Sequence, residues 1–385
     1  MTSRTVLISG AGVAGPTLAY WLARRGFRPT VVELSPGLRS SGNPVDVRGP
    51  ALPVAEAMGI VDRLREAATT ATAMGLVDSS GRRIARVPMP ASRSAAGTRE
   101  VEIARGDLAA ILHDTARHEA EYLFDDSITG LRQDGHGVDV EFDRAAPRRF
   151  DLVVGADGLH SRVRGLAFGP EQDFVHHLGL QVATMPLDEP VEDPSCVLMH
   201  NTPGRLLSIH PCRGRALVAF IFRGRPAEGF DHRDTAEQRR VVTEAYAGTG
   251  WRAPELLERL RETDDLYFDT VSRVKLSCWA RDRVVLLGDA ASCVSLLGDG
   301  SSLAMAGAFT LAEALAESSA ADPGGHPGGH PGGHAGAFRR YEQVHRTRTG
   351  SKQRGMRVGA AVLVPGSRTG VAARNAAAKA WSRLR

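Results

Sequence analysis

Three short stretches hold residue types at spacings that can do chemistry. The first is GAGVAG, with Gly10, Gly12 and Gly15, set between the apolar pentapeptide Thr5 to Ser9 and a run of helical spacing, Pro16 to Arg25. Gly10 permits a tight turn, Gly12 lets a pyrophosphate approach the backbone, and Gly15 allows a helix to pack closely on a strand. The start of the helix then offers free N–H groups and the positive end of its dipole to the phosphates. Glu33 closes the next apolar strand, Thr30 to Leu34, where an acid takes the hydroxyls of a ribose. The pattern indicates dinucleotide binding and suits NAD and FAD equally.

The second stretch is DGLHSRVR, from Asp157 to Arg164, directly after the apolar run DLVVGA. By itself it reads as an ordinary turn at a strand end. The third is GDAA, with Gly288 and Asp289, after the strand RVVLL, and it leads to GDGSS, with Gly298, Gly300 and Ser301, ahead of a helical run. A carboxylate here follows a strand, and a second glycine turn presents backbone N–H groups at a helix start. That geometry suits a sugar-alcohol hydroxyl and, further along, an electron-rich carbonyl.

The elements around these stretches follow from periodicity. Thr5 to Leu34 forms a βαβ unit at the extreme N-terminus. Residues 51–68 have helical spacing, with Met58 and Ile60 on an apolar stripe broken by Gly59, and residues 76–103 read as a hairpin excursion. A helix runs from Asp107 to Glu119, introduced by Arg105 and Gly106, followed by two hairpin strands and the strand Asp151 to Gly155. From 174 to 280 the alternating runs RLLSIHP and ALVAFIFR predict an antiparallel sheet with one buried face, interrupted by a helical stretch from Thr235 to Glu262. RVVLL returns to a parallel core, and a helix follows from Ser302 to Glu317.

Pro323 to His334 is a threefold PGGH repeat whose composition cannot bury a core, so it reads as a flexible loop; weak metal binding by its three histidines is the lesser alternative. The tail from Phe338 is basic, Ala-rich and helical, with a break at Pro365 and Gly366. It can pack on the first domain, mediate self-association or stay mobile.

The chain has 385 residues, 42% hydrophobic and 24% charged, the size of two globular domains rather than a disordered chain. Its 48 basic and 44 acidic side chains leave a net charge of +4, with a pI near 9.1, too slight an excess to predict a nucleic-acid partner. Four scattered cysteines, Cys196, Cys212, Cys278 and Cys293, form no disulfide framework and fit a reducing cytoplasm. Thr5 to Ala23 is uncharged, but its glycine turn and the arginines that follow it, Arg24 and Arg25, match neither a signal peptide nor a membrane span. The expectation is therefore a protein without a membrane partner.

In order and spacing, GAGVAG near the start, GADG near 155 and GDAA near 288 resemble the FAD-dependent aromatic hydroxylases related to para-hydroxybenzoate hydroxylase, a group that includes tetracycline-modifying monooxygenases. The resemblance spans roughly residues 4–350. It implies an α/β fold: a Rossmann-like FAD-binding domain of the glutathione-reductase type with an inserted, mainly antiparallel β substrate domain. The FAD-binding domain would comprise residues 1–75, 97–173 and 281–350, and the substrate domain residues 76–96 and 174–280. The repeat loop, 323–334, and a basic helical tail, 351–385, complete the chain.

Carried over by residue, the resemblance puts the pyrophosphate on Gly10, Gly12 and Gly15 and the adenosine ribose on Glu33. Arg48, in VDVRG, matches an arginine near the flavin and the cofactor phosphates. Arg105, in EIARGDL, matches one that reaches the FAD. Asp157 belongs to the motif serving both FAD and NAD(P)H, Asp289 would bind the ribityl chain, and Gly298, Gly300 and Ser301 would line the pyrimidine end of the flavin.

The implied activity is an NADPH- or NADH-dependent monooxygenase. It would deliver one atom of O2, through a flavin C4a-(hydro)peroxide, to an aromatic or polyketide-like small molecule. The mechanism requires no metal, and the protein would work as a monomer or homodimer. Leu206, Phe220 and Phe222 on the predicted sheet would face the flavin, and His210 would hydrogen-bond a phenol or keto oxygen; the plainer alternative is that all four are sheet core. The sequence also departs from the family. Ser292 and Ser295 stand where His or Tyr and then proline are common, and Asp299 stands where Gln is frequent. An acid beside a flavin that must hold negative charge is unfavourable unless it points to solvent. These departures keep open an oxidase, cyclase or reductase on the same scaffold, and more distantly a non-catalytic FAD or ligand-binding protein.

Overall fold

The pentapeptide Thr5–Ser9 lies inside a six-stranded sheet, in the order Ala280–Arg281, Val284–Leu286, Leu152–Gly155, Thr5–Ser9, Arg28–Glu33, Glu121–Phe124. The computed structural model describes residues 4–38, 42–89, 100–212, 214–225, 230–231, 234–293, 299–321 and 333–383; the PGGH repeat falls almost wholly outside them. All strand pairings of this sheet are parallel except the Ala280–Arg281 edge. Val6, Leu7, Ile8, Val153, Val154 and Val284 to Leu287 are completely buried, as expected for strands covered on both faces. The helix Ala14–Arg24 packs against Arg105–Ala116 and against the long helix Gly300–Ala321, which in turn meets His334–Leu363.

The second large sheet has seven strands, in the order Tyr267–Val274, Val175–Leu187, Arg215–Arg223, Arg205–Cys212, Cys196–Thr202, Ala73–Val77, Arg83–Pro88. All neighbours are antiparallel except Cys196–Thr202 with Ala73–Val77. The excursion after residue 73 therefore extends the sheet built by 175–274. One face carries Ala183, Met185, Leu207, Ile209, Val218, Phe220, Phe222 and Phe268 under the helices Thr235–Tyr246 and Ala253–Glu262. The opposite face carries Leu180, Val182, Leu206, Ile221 and Val271, against which Ala360 and Val364 pack. Two smaller sheets complete the architecture: Ile128–Gln133, Val138–Phe142 and Arg148–Phe150, and the ribbon Val45–Val47 with Ile103 to Val101.

Several elements differ from the expectations above. Residues 51–68 form two short helices, Leu52–Ala57 and Val61–Glu66, because Gly59 adopts φ +70° and breaks the run. The stretch 235–262 likewise splits at Ala247 to Arg252, where Gly248 and Trp251 have positive φ. The boundary expected at residue 350 falls inside one continuous helix, His334–Leu363, which contains no proline. Its C-terminal end and the following helix, Arg368–Arg383, pack on the seven-stranded sheet.

Candidate active site

The three motifs come together because their strands are adjacent. Thr5–Ser9 lies between Leu152–Gly155 and Arg28–Glu33, and Val284–Leu286 flanks Leu152–Gly155. Gly10, Glu33, Asp157 and Gly288 therefore all emerge at the C-terminal edge of neighbouring parallel strands. That edge is where open α/β sheets bind ligands. The turns are stitched together: Ala156 N donates to Ser9 O (2.8 Å), Leu287 N to Gly155 O (2.8 Å) and Gly10 N to Val32 O (2.7 Å). Arg164, completely buried, donates to Ala290 O (3.2 Å), Leu159 O (2.6 Å) and Glu171 (3.1 Å), fastening the second motif to the third.

Within the first motif the glycines have unequal reasons. Gly10 has φ +104°, and a Cβ there would stand 2.5 Å from Ala156 O; one at Gly15 would stand 1.9 Å from Gly10 O. Both positions are closed by the protein's own backbone. At Gly12 a Cβ would meet nothing within 4 Å, so the absence of a side chain there serves no contact within the chain. The helix that follows has no side-chain cap and no acidic residue in its first turn, leaving its first N–H groups to an outside acceptor. Glu33 accepts from Ala11 N (2.8 Å) and Ser35 N (2.9 Å), which places its carboxylate against the glycine turn. A bare glycine, an uncapped helix start and an adjoining acid fit the pyrophosphate and ribose of FAD.

Asp157 is used within the protein. Its carboxylate accepts from Ser161 Oγ (2.5 Å), Val163 N (3.1 Å) and Ser9 Oγ (3.3 Å). Burial raises its pKa, partly opposed by these bonds. Asp289 opens the short helix Asp289–Ser292 after Gly288, whose φ of +63° turns the chain towards Ala14.

Arg48 and Arg105 leave the ribbon of Val45–Val47 and Val101–Ile103. Arg48 pairs with Asp299 through Nη2 (2.8 Å) and approaches Asp46 (3.4 Å), while its backbone N donates to Ser302 Oγ (3.0 Å). Ser301 Oγ donates to Asp46 O (2.7 Å), so Ser301 fixes the head of the long helix that begins at Gly300. Asp299 itself does not point to solvent, the condition under which an acid here would be harmless. It is buried and paired on its other oxygen with Lys352 Nζ (3.0 Å), from the helix His334–Leu363. Two cations make the acid tolerable there. Gly298 and Ser295 lie outside the described residues.

Arg105 meets the sheet. Its guanidinium carbon stands 5.7 Å from the centroid of the Tyr267 ring. Burial opposes its charge, but Tyr267, Asp289 and Asp269 more than compensate and raise its pKa. Tyr267 therefore marks the sheet face that looks towards the motifs. Register extends that face across the sheet: Tyr267 is opposite Thr184, Thr184 opposite Ala219, and Ala219 opposite Ser208. Thr184 is completely buried, and its hydroxyl has no hydrogen-bond partner among the described residues. Two positions from Ser208, His210 shares a 3.0 Å hydrogen bond with it, and burial lowers the His210 pKa to about 4, so the imidazole is neutral.

Phe220 and Phe222 do not face this region. Strand alternation turns them to the opposite side, where both pack edge-on against Tyr246 under the outer helices. Leu206 shares the inner face but belongs to a core cluster with Leu180 and Val182. The sequence reading assigned no role to Arg164, Tyr267, Thr184 or Lys352. Arg164 stands in a quoted motif, and alternation on the strand Tyr267–Val274 distinguishes Tyr267 from Phe268. Nothing in the sequence signals that Lys352 reaches Asp299.

Comparison with known proteins agrees with this geometry. A family model described as an FAD binding domain matches residues 3–325. An uncharacterized protein of Mycobacterium tuberculosis (strain H37Rv) is 40% identical over 315 residues, 80% of this chain and 84% of that protein. A flavin-dependent monooxygenase of Legionella longbeachae is 36% identical over 313 residues, covering 80% and 79% respectively. Among solved structures, the tetracycline destructase Tet(51) superposes with a TM-score of 0.81 at 27% identity, over 100% of this chain and 98% of that one.

Proposed function

This chain belongs to the family of FAD-dependent monooxygenases, and from that premise we propose that it is an NADPH- or NADH-dependent hydroxylase that places one atom of O2 into a planar aromatic or polyketide-like molecule. The observation that carries the reading is the meeting of three motifs on adjacent strand ends, joined through Arg105 and Tyr267 to the polar row of the second sheet. The likeness to a tetracycline destructase over the whole chain supports a polycyclic substrate.

Gly10, Gly12, Gly15 and the uncapped helix hold the pyrophosphate of FAD, and Glu33 holds the ribose. Asp289 takes the ribityl chain, with Arg105 beside it. Asp157 acts by holding the turn that brings the second and third motifs together. Arg48, Gly300 and Ser301 frame the pyrimidine end. When bound, FAD supplies hydride acceptance from NAD(P)H and the activation of O2. The protein contributes position, exclusion of water and local charge. Arg48 and Lys352 neutralise Asp299, so the positive end of the helix from Gly300 is not cancelled by the acid in front of it. On the sheet, the Thr184 hydroxyl and the neutral His210–Ser208 pair offer hydrogen bonds to a phenol or keto oxygen.

The test is the purified protein in air. We expect flavin absorbance bands at about 370 and 450 nm, NAD(P)H oxidation stimulated by planar aromatic or polycyclic phenols, and one 18O atom in the product formed under 18O2. Substrate-stimulated oxidation whose product carries no 18O overturns oxygen insertion and leaves the oxidase, cyclase or reductase reading, for which Ser292 and the buried Asp299 speak.

A further inference from the structure

His160 has no part in the mechanism above, yet both of its ring nitrogens are engaged by carboxylates. Nδ1 lies 2.9 Å from Glu171 Oε1 and Nε2 lies 3.1 Å from Asp269 Oδ1. A ring that serves two acceptors in this way carries a proton on each nitrogen, and so a positive charge. The partners come from different parts of the fold. His160 sits in the turn after Leu152–Gly155, Glu171 in the short 3-10 turn Glu171–Asp173, and Asp269 in the edge strand Tyr267–Val274 of the seven-stranded sheet. The imidazolium thus ties the motif-bearing sheet to the substrate-facing one.

The contact continues inward. The second oxygen of Asp269 accepts from the Tyr267 hydroxyl (3.2 Å), and the Tyr267 ring carries the Arg105 guanidinium. Asp289 and Asp269 are the carboxylates whose charge acts on Arg105. A line of contacts therefore runs Glu171, His160, Asp269, Tyr267, Arg105, with the Asp289 charge at its inner end. Further titratable and charged groups face this cluster: Arg164, paired with Glu171 (3.1 Å), and His177 from the adjacent strand, on which the Arg225 charge also acts.

We propose that His160 is a positioning residue: clamped between Glu171 and Asp269, it fixes the Asp269–Tyr267 pair that presents Arg105 towards Asp289, and thereby sets the affinity for FAD. The inference rests on the reading of Arg105 and Asp289 as cofactor residues. Burial opposes charge on His160, but the hydrogen bonds and charges of Asp269 and Glu171 more than offset it and raise the pKa to about 9. For a group raised in this way, the contribution is complete below the ordinary histidine value of about 6.5 and is lost as the pH climbs through about 9. Arg105 and Arg164 do not titrate in that window, and His177 has a lowered pKa and is already neutral there.

The experiment measures the dissociation constant of FAD from the apoprotein by quenching of flavin fluorescence, from pH 7 to pH 10. The proteins compared are wild type, His160→Gln, Asp269→Asn and Asp289→Ala, each checked for folding by far-UV circular dichroism. Wild type should lose about tenfold in affinity between pH 8 and pH 10. His160→Gln should bind about tenfold more weakly at pH 7.5, with a flat profile, and Asp269→Asn should behave alike. Wild-type affinity in His160→Gln, or weakened affinity that keeps the alkaline step, overturns the proposal. Wild-type affinity in Asp289→Ala overturns instead the cofactor reading on which it rests. If His160→Gln does not fold, the NMR titration of the His160 ring in wild type decides: a midpoint near 9 supports the clamp, and an ordinary one overturns it.

Discussion

Replacing Gly12 and Gly15 by alanine, one at a time, separates a glycine kept for a ligand from a glycine kept for the fold. At Gly15 the added Cβ would stand 1.9 Å from Gly10 O, far inside the roughly 3.5 Å at which heavy-atom contacts become favourable. The helix or the turn must shift by more than about an ångström, and overpacking of this kind costs about 1–3 kcal/mol, sometimes more. At Gly12 the Cβ meets nothing within 4 Å, and Gly12 is not among the positive-φ glycines. The unfolded chain loses freedom, so Gly12→Ala should leave the apoprotein unchanged or more stable by about 0.4–1 kcal/mol. Its methyl would stand where a phosphate must approach the helix start. Losing one charge-assisted hydrogen bond at about 1.5–3 kcal/mol predicts FAD binding weaker by roughly 10- to 140-fold. The assay pairs thermal unfolding of each apoprotein with titration of FAD. Gly12→Ala should separate the two readouts, and Gly15→Ala should lower both. If Gly12→Ala binds FAD as wild type does, or fails to fold, the assignment of Gly12 to the pyrophosphate is refuted.

Asp299→Asn leaves Arg48 and Lys352 without their shared counter-charge. Because Lys352 is half exposed, the expected loss is about 1–2 kcal/mol rather than the larger value of a fully buried pair, measured by chemical unfolding. Lys352→Met should cost no more than about 1 kcal/mol in the same measurement. Thr184→Val removes a buried hydroxyl with no partner among the described residues, so stability should hold or rise by up to about 1 kcal/mol while the KM for substrate increases several-fold; an unchanged KM removes Thr184 from the pocket. Phe220→Leu should lower the unfolding temperature through lost packing under the outer helices and leave KM unaltered, since its ring faces away from the motifs.

The glycines, Glu33, Asp157 and Asp289 were legible in the sequence because each depends on local chain geometry. A glycine turn between strand and helix, or a carboxylate just past a strand end, is encoded within a few neighbouring residues. The order of the three motifs then implied the FAD-binding fold, and alternation along 205–223 revealed a sheet. Alternation alone, however, cannot say which face is which. Phe220 and Phe222 were candidates to face the flavin, with sheet core as the plainer alternative, and they lie in the core under the helices Thr235–Tyr246 and Ala253–Glu262. The face of a strand is fixed by what packs on each side of the sheet, which is information from distant parts of the chain. The same holds for charge. Asp299 looked incompatible with a buried place until Arg48, 251 residues away, and Lys352 on the helix His334–Leu363 came to meet it. The clamp of His160 by Glu171 and Asp269 spans separations of 11 and 109 residues. Local turns and periodicity are set by short-range sterics, so the sequence alone determined them. The pairing of buried charges and the orientation of the sheet were decided only by the tertiary structure, because desolvation and Coulomb energy depend on neighbours that folding alone brings together.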